Sequence, residues 1–407
     1  MDWIYGTPPG VIRPPQRTRL PFHQTAAPPD ERSGGAFPMT EPYLLTPGPL
    51  TTSRTVKEAM LRDWGSRDGA FIALNRRIRA RLVELANAAD SHVAVPVQGS
   101  GTFAVEAMIG TLVPRDGKLL VLINGAYGKR IQRMAEVIGR RVVAIEVAED
   151  QPVDPATLDD ALSADADITH VAVVHCETTS GILNPVEAVA DIVARHGRRL
   201  LIDSMSAFGA LPLDAARVPF EAVAASANKC LEGVPGMGFV IARADALAAA
   251  KGNAHSLSLD LHDQWRGFEA NAQWRFTPPT HVLAAFGQAL DEHEAEGGVA
   301  GRGARYAVNG RILIDGMRGL GFETLLPDAL QAPIIVTFRM PADPAFVFDA
   351  FYDQLRERGF VIYPGKLTVA DSFRIGCIGR LGAAEMRAAL DAIRATLDAM
   401  GVASGAP

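Results

Sequence analysis

A chain of 407 residues with 48% hydrophobic and 21% charged side chains has the composition of an ordinary globular protein. It exceeds the roughly 250 to 300 residues at which a single core usually divides, so two domains are expected. A formal net charge of -6, with no basic run interleaved with aromatics, excludes a nucleic-acid binder. No apolar run reaches the roughly 18 residues that span a bilayer, which leaves a cytoplasmic enzyme without a membrane partner as the expectation. The three cysteines, Cys176, Cys230 and Cys377, form no CxxC pair, which argues against a zinc site and a disulfide framework.

The first forty residues stand apart. "GTPPGVIRPPQRTRLPFHQTAAPPDERSGGAFP" is dense in Pro, Arg and Gly and lacks any period of two or 3.6. Such a segment cannot bury enough surface to offset chain entropy, so residues 1–40 are expected as a disordered leader. It has basic residues but no apolar h-region of a secretory signal. Met39, in "FPMTEPYLLTPGP", is expected as the true start.

From about Tyr43 strand and helix patterns alternate. "HVAVPVQ" reads as a strand, "TFAVEAMIGTLV" as a helix, "KLLVLIN" as a strand, "RIQRMAEVIG" as a helix and "RRVVAIEV" as a strand. "DPATLDDALSA" (helix), "THVAVVHC" (strand), "NPVEAVADIVARHG" (helix), "RRLLIDSM" (strand) and "GMGFVIA" (strand) follow. The strands are continuous apolar runs, the pattern of strands covered on both faces. Alternation of this kind predicts an α/β fold with a mainly parallel sheet covered by helices. We assign residues 41–308 to this large domain. Residues 309–407 read as a smaller α/β domain: "GRILIDGMRGLGF" and "DPAFVFDAFYDQLRERGF" as helices, "APIIVTFRM", "FVIYPGK" and "SFRIGCIG" as strands, and "AAEMRAALDAIRATLDAM" as the last helix.

Ligands of such sheets bind beyond the carboxyl ends of the strands, so the polar residues there carry the chemistry. Gly99, Ser100, Gly101 and Thr102 lie between a strand and a helix. Such a turn either caps the helix or cradles a phosphate on its outward amides; it is neither a GxGxxG fingerprint nor a P-loop. Asp203 ends a strongly apolar strand, where it either caps the next segment or holds a proton on a heterocyclic nitrogen. Lys229 follows in "AASANKCLEGVPGMGFV", an ammonium among small and apolar residues. It is either a surface turn residue beside Glu232 or a buried amine, which is costly unless used. Amine, acid and phosphate cradle at neighbouring strand ends are together what pyridoxal 5'-phosphate needs.

The motifs "LLTPGPLTTSRTVKEAM", "QGSGTFAVEA", "NGAYGKR", "HCETTSGILNP", "DSMSAFGA", "SANKCLEGVPGMGFV", "SLSLDL", "WRFTPPTH" and "FVIYPGK" with "FRIGCIG" make the resemblance specific. The chain resembles the class V aminotransferases of the fold type I pyridoxal-phosphate group. Within them it is most similar to the transaminases acting on 2-aminoethylphosphonate and pyruvate, from about Leu44 to its end.

That resemblance implies a role for each matching residue. Lys229 would carry the cofactor and act as general base, tuned down from its ordinary pKa by burial. Asp203 would keep the pyridine nitrogen protonated. Gly99, Ser100, Gly101, Thr102, Ser226 and Asn228 would surround the cofactor, with Asn228 on its phosphate. Phe103 would stack on the ring, or else fill a core position of its helix. Thr178 or Thr179 would meet the ring hydroxyl. Thr277 would reach the phosphate from a second subunit, which implies a homodimer. Arg374 would clamp the substrate anion with two bonds, or pair with Asp371 at the surface. The segment around Gly48 and Pro49 would fold back to line the substrate site, and Trp64–Asp68 would influence substrate choice. His175 and Cys176 read equally well as core residues. The implied reaction is ping-pong transamination giving phosphonoacetaldehyde and L-alanine. Its alternatives are an alanine–glyoxylate or serine–pyruvate type transaminase, a cysteine desulfurase using Cys377, and a non-catalytic binding module.

Overall fold

Among the described residues, thirteen strands form at the apolar runs and at a few further places. In chain order they are β1 (Tyr43–Leu45), β2 (His92–Gln98), β3 (Lys118–Ile123), β4 (Arg141–Glu146), β5 (Ile168–Val174), β6 (Cys176–Glu177) and β7 (Ile182–Leu183). They continue as β8 (Arg199–Asp203), β9 (Ala222–Ser226), β10 (Met237–Arg243), β11 (Ile335–Arg339), β12 (Phe360–Ile362) and β13 (Ser372–Gly376). This computed structural model describes residues 41–363 and 368–407; the leader and the Met39 start lie outside them.

Seven strands make the central sheet in the order β2, β10, β9, β8, β5, β3, β4. Neighbours from β9 to β4 run parallel, while β10 is antiparallel to both β9 and β2. β9, with the sequence AVAAS, carries no strand pattern of its own. Alanine has low strand propensity, and only complete burial between β8 and β10 makes this segment one.

Successive residues along the strands feed two different cores. Leu120, Leu122, Val171, Val173, Leu200 and Ile202 pack beneath the helices Gly69–Leu85, Pro155–Ala164, Val186–Arg195 and Thr280–Ala295. Leu119, Val121, Ala172, Val174 and Leu201 pack beneath Gly101–Leu112, Ala126–Val137 and Leu261–Asn271. This period of two places helices on both faces and explains the continuous apolar runs. Gly238 lets the helix Gly101–Leu112 close on β10: a Cβ there would lie 2.8 Å from that of Ala104.

A third core joins Leu45 to residues between Leu313 and Val402. β1 supplies Leu45 by pairing in parallel with β12, so the first described strand belongs to the C-terminal core. Residue 309, where the sequence placed the boundary, lies inside the 22-residue helix Gly298–Gly319. No described helix is long and apolar enough to cross a membrane.

Candidate active site

Beyond the carboxyl ends of β8 and β9 lies a cavity of about 450 Å³, within the usual range for small ligands. Its lining brings together Gly48, Pro49, Gly99, Ser100, Gly101 and Thr102 with Asp203, Ser226, Asn228 and Lys229. Ten residues drawn from four segments of the sequence thus share one space.

Lys229 is partly buried in the loop after β9, and its Nζ donates to the carbonyls of Pro47 at 2.8 Å and Gly48 at 3.3 Å. Burial lowers its pKa to about 8. Glu232 is not its partner, which removes the surface-turn reading. Gly48 has φ +112, and a Cβ there would lie 2.6 Å from both the Asn228 carbonyl oxygen and Lys229 Cδ. Only glycine allows the strand-to-strap turn to press so closely on the lysine.

Asp203, 5% exposed at the tip of β8, accepts from the Met205 amide at 3.0 Å. Burial raises its pKa to about 6. A carboxyl so desolvated gains from a protonated ring nitrogen as partner. Ser100 is the N-cap of Gly101–Leu112, and its side chain makes no capping bond. The first amides of that helix, without intrahelical acceptors, and its dipole suit an anion. A desolvated amine, a desolvated carboxyl and an anion cradle fit the three ends of pyridoxal phosphate.

Arg374 is buried in β13, with Nη1 donating to the Thr178 carbonyl at 2.7 Å and its guanidinium 4.6 Å from the centre of the Tyr363 ring. Its positive field reaches Lys229. Thr178 Oγ1 meets Ser206 Oγ at 2.7 Å, and Ser206 lines the cavity. Thr179 Oγ1 instead donates to Glu177 Oε1 at 2.6 Å and accepts from the Ala126 amide, bracing the start of Ala126–Val137.

Thr178, Thr179 and Arg374 stand outside the lining of the Lys229 cavity, and two further expected cofactor residues line a second one. Phe103, nearly half exposed, lines a separate cavity together with Thr277, Asp260, Trp274 and Phe276. One helical step past the cradle turns Phe103 away, because residues 102 and 103 of a helix point about 100° apart. The aromatic ring in the Lys229 cavity is that of Tyr127, from the "NGAYGKR" motif. Arg130 from the same helix also lines the cavity, 4.7 Å over the Tyr127 ring and 3.4 Å from Thr102 Oγ1. The missed signal is a Tyr three positions before an Arg at the end of β3.

The remaining readings sort by position. Asp68 caps Gly69–Leu85, while Ser66 and Arg67 line a further cavity with Thr277. His175 is buried against Ser204 Oγ at 3.1 Å, with its pKa lowered to about 4 by burial. Cys377 is fully buried, and burial pushes its thiol up to about 12. A thiol in that state is no nucleophile, which disfavours desulfurase chemistry.

Residues 53–342 match the family model described as aminotransferase class-V. The chain is 55% identical over 362 residues to 2-aminoethylphosphonate–pyruvate transaminase 2 of Burkholderia lata, covering 89% of this chain and 96% of that protein. It is 56% identical over 364 residues to 2-aminoethylphosphonate–pyruvate transaminase of Pseudomonas fluorescens, covering 89% and 99%. Among solved structures, pyridoxamine–pyruvate aminotransferase from Mesorhizobium loti aligns with TM-score 0.81 at 25% identity, over 90% of this chain and 95% of that one. Aspartate aminotransferase from Thermus thermophilus aligns with TM-score 0.79 at 21% identity, over 88% and 99%, a likeness of fold.

Proposed function

The chain belongs to the class-V aminotransferase family, and from that premise we propose that it moves the amino group of 2-aminoethylphosphonate to pyruvate, giving phosphonoacetaldehyde and L-alanine. The observation that carries this reading is the single cavity uniting Lys229, Asp203 and the anion cradle in a chain so similar to transaminases of that specificity. Pyridoxal 5'-phosphate, when bound, supplies the carbonyl that receives the amino group and a ring that delocalises the electrons left by proton removal.

The protein's own groups do the rest. Lys229 carries the cofactor at rest. When freed, its amine would take the proton from the amino-bearing carbon, and a pKa lowered to about 8 would leave roughly a tenth of it neutral near pH 7, far more than for an ordinary lysine. Asp203 holds a proton on the ring nitrogen, where a buried carboxylate attracts it strongly. The first amides of Gly101–Leu112, with Ser100, Thr102, Ser226 and Asn228, hold the phosphate end. Tyr127 takes the stacking position expected of Phe103. Arg374 binds the phosphonate of one substrate and the carboxylate of the other in turn, held in place by Thr178. The strap at Gly48 and Pro49 closes the substrate side and excludes water.

The reading extends to a cytoplasmic homodimer. Thr277 lies outside the Lys229 cavity of its own chain, exposed beside half-exposed Phe103 and Phe276, as suits a residue serving a neighbouring copy. Separate cores favour two lobes, with Leu45 of the first described strand packed in the second, and with the boundary falling within the helix Gly298–Gly319 and not at 308/309.

A spectral titration tests the reaction. The absorbance band of the Lys229-bound cofactor should vanish with 2-aminoethylphosphonate and return with pyruvate. A band that ignores the phosphonate but responds to L-alanine and glyoxylate would hand the assignment to the alanine–glyoxylate type.

A further inference from the structure

The helix Gly298–Gly319 places Arg302, Arg305, Tyr306 and Asn309 at intervals of three and four, along one face. One set of partners lies in the Lys229 loop. Arg302 Nη1 donates to the carbonyl of Cys230, and Arg305 Nη2 and the Tyr306 hydroxyl both donate to Glu232 Oε1 at 2.6 Å. The other set follows Arg374 along the chain. Arg305 Nη1 donates to the carbonyls of Gly379 at 2.6 Å and Leu381 at 2.8 Å. The Tyr306 oxygen accepts from the Gly379 amide at 3.2 Å, and Asn309 Nδ2 donates to the carbonyls of Cys377 at 3.1 Å and Leu381 at 3.0 Å.

Arg305 and Tyr306 therefore each bond to both segments. Glu232, a non-glycine residue at φ +56, holds a costly backbone conformation while its carboxylate is buried against these two donors. The charges close on themselves: Arg302 and Arg305 face Glu232 and Glu296, and against burial the two guanidiniums hold Glu296 down to about 2. Such a network, buried and bonded at both ends, ties the two segments together, although Glu232 Oε2, Arg302 Nη2 and Asn309 Oδ1 have no hydrogen-bond partner among the described residues.

We propose that Glu232, Arg305 and Tyr306 are positioning residues that fix the separation between the Lys229 amine and the Arg374 guanidinium, and thereby the length of amino donor the site accepts. The inference rests on the transaminase reading above. In 2-aminoethylphosphonate the anion sits one carbon beyond the amino-bearing carbon, whereas in alanine it is attached to that carbon directly. A site serving both must span that one-carbon difference and no more, so the amine and the guanidinium must be held closely enough to disfavour a donor longer by a further methylene, since small misplacements of reacting groups are costly in rate.

The test uses the loaded full-length enzyme with Tyr306→Phe, which removes only the shared hydroxyl, and Arg305→Lys, which keeps the charge but not the fork. Donors are 2-aminoethylphosphonate and the one-methylene-longer 3-aminopropylphosphonate. The ratio of their kcat/KM values should fall about tenfold, as expected for loss of a charge-assisted bond. The Lys229-bound cofactor band should also titrate at a shifted pH. Equal losses for both donors with an unmoved band titration would overturn the proposal in favour of a merely structural role, and so would failure of both variants to fold. A wild type inactive with either donor would instead refute the reaction, leaving the band titration to judge the brace.

Discussion

Lys229 Nζ donates to the carbonyl of Pro47 at 2.8 Å, so this amine is held by a strap from the start of the described chain. The strap is anchored by β1 on β12, in the C-terminal core, while the lysine follows β9 of the central sheet. The amine thus sits where two separately packed cores meet.

Gly48→Ala tests this contact. The added Cβ would press on the Asn228 carbonyl and Lys229 Cδ at a φ unfavourable to alanine. Cofactor capture should slow by about tenfold or more, equivalent to about 1.4 kcal/mol and at the low end of such strain. The melting temperature of the unloaded protein should move little. Capture measured by stopped-flow absorbance at the wild-type rate would show that the strap does not govern the lysine.

Capture by the unloaded protein should depend on pH through Lys229 itself. Only the neutral amine attacks a carbonyl, and burial has lowered its pKa to about 8. The rate should rise with pH through about 8 and level off above it. A rise continuing to the ordinary lysine range would mean that the amine is solvated.

Asp203 makes the opposite signature in stability. Its folded pKa, raised by burial to about 6, exceeds the ordinary value of 3.8. The folded state therefore binds the proton more tightly, and the stability this contributes is fully present below about 3.8 and lost as pH rises through about 6. Asp203→Asn has no such loss. Urea midpoints of the unloaded proteins should diverge in favour of the variant between pH 4 and 6.5, then run parallel. Midpoints that differ by a constant amount over this range would refute the assignment.

Tyr127→Leu should weaken cofactor binding about three- to tenfold, the worth of one aromatic contact. Phe103→Leu should leave affinity within about twofold, since that ring lines the other cavity. Equilibrium dialysis compares the two directly. A reversed order would restore the stacking role to Phe103.

Much of this site could be read from the sequence because its groups stand next to unmistakable strands. Asp203 closes "RRLLID" and the Gly99–Thr102 turn follows "HVAVPVQ", so period and punctuation alone located both. Lys229 was conspicuous as a cation without polar company. Other features depend on the third dimension. β9 is a strand only because β8 and β10 enclose it, and its alanines carry no pattern of their own. The choice between Phe103 and Tyr127 turns on helix phase near an N-terminus, where one residue shifts a side chain into another cavity. Glu232 and Tyr306 are far apart in sequence, and neither position hints at the other until the chain is folded.

The antiparallel setting of β10 bears on how the protein is made. Among the described residues β2 is an edge strand whose sheet neighbour is β10, and β10 is synthesised long after it. On the ribosome, residues 92–98 must wait without a strand partner until residue 243 has emerged, although β3, β4, β5 and β8 can already assemble. This apolar edge is the segment of the nascent polypeptide most in need of a chaperone's shelter.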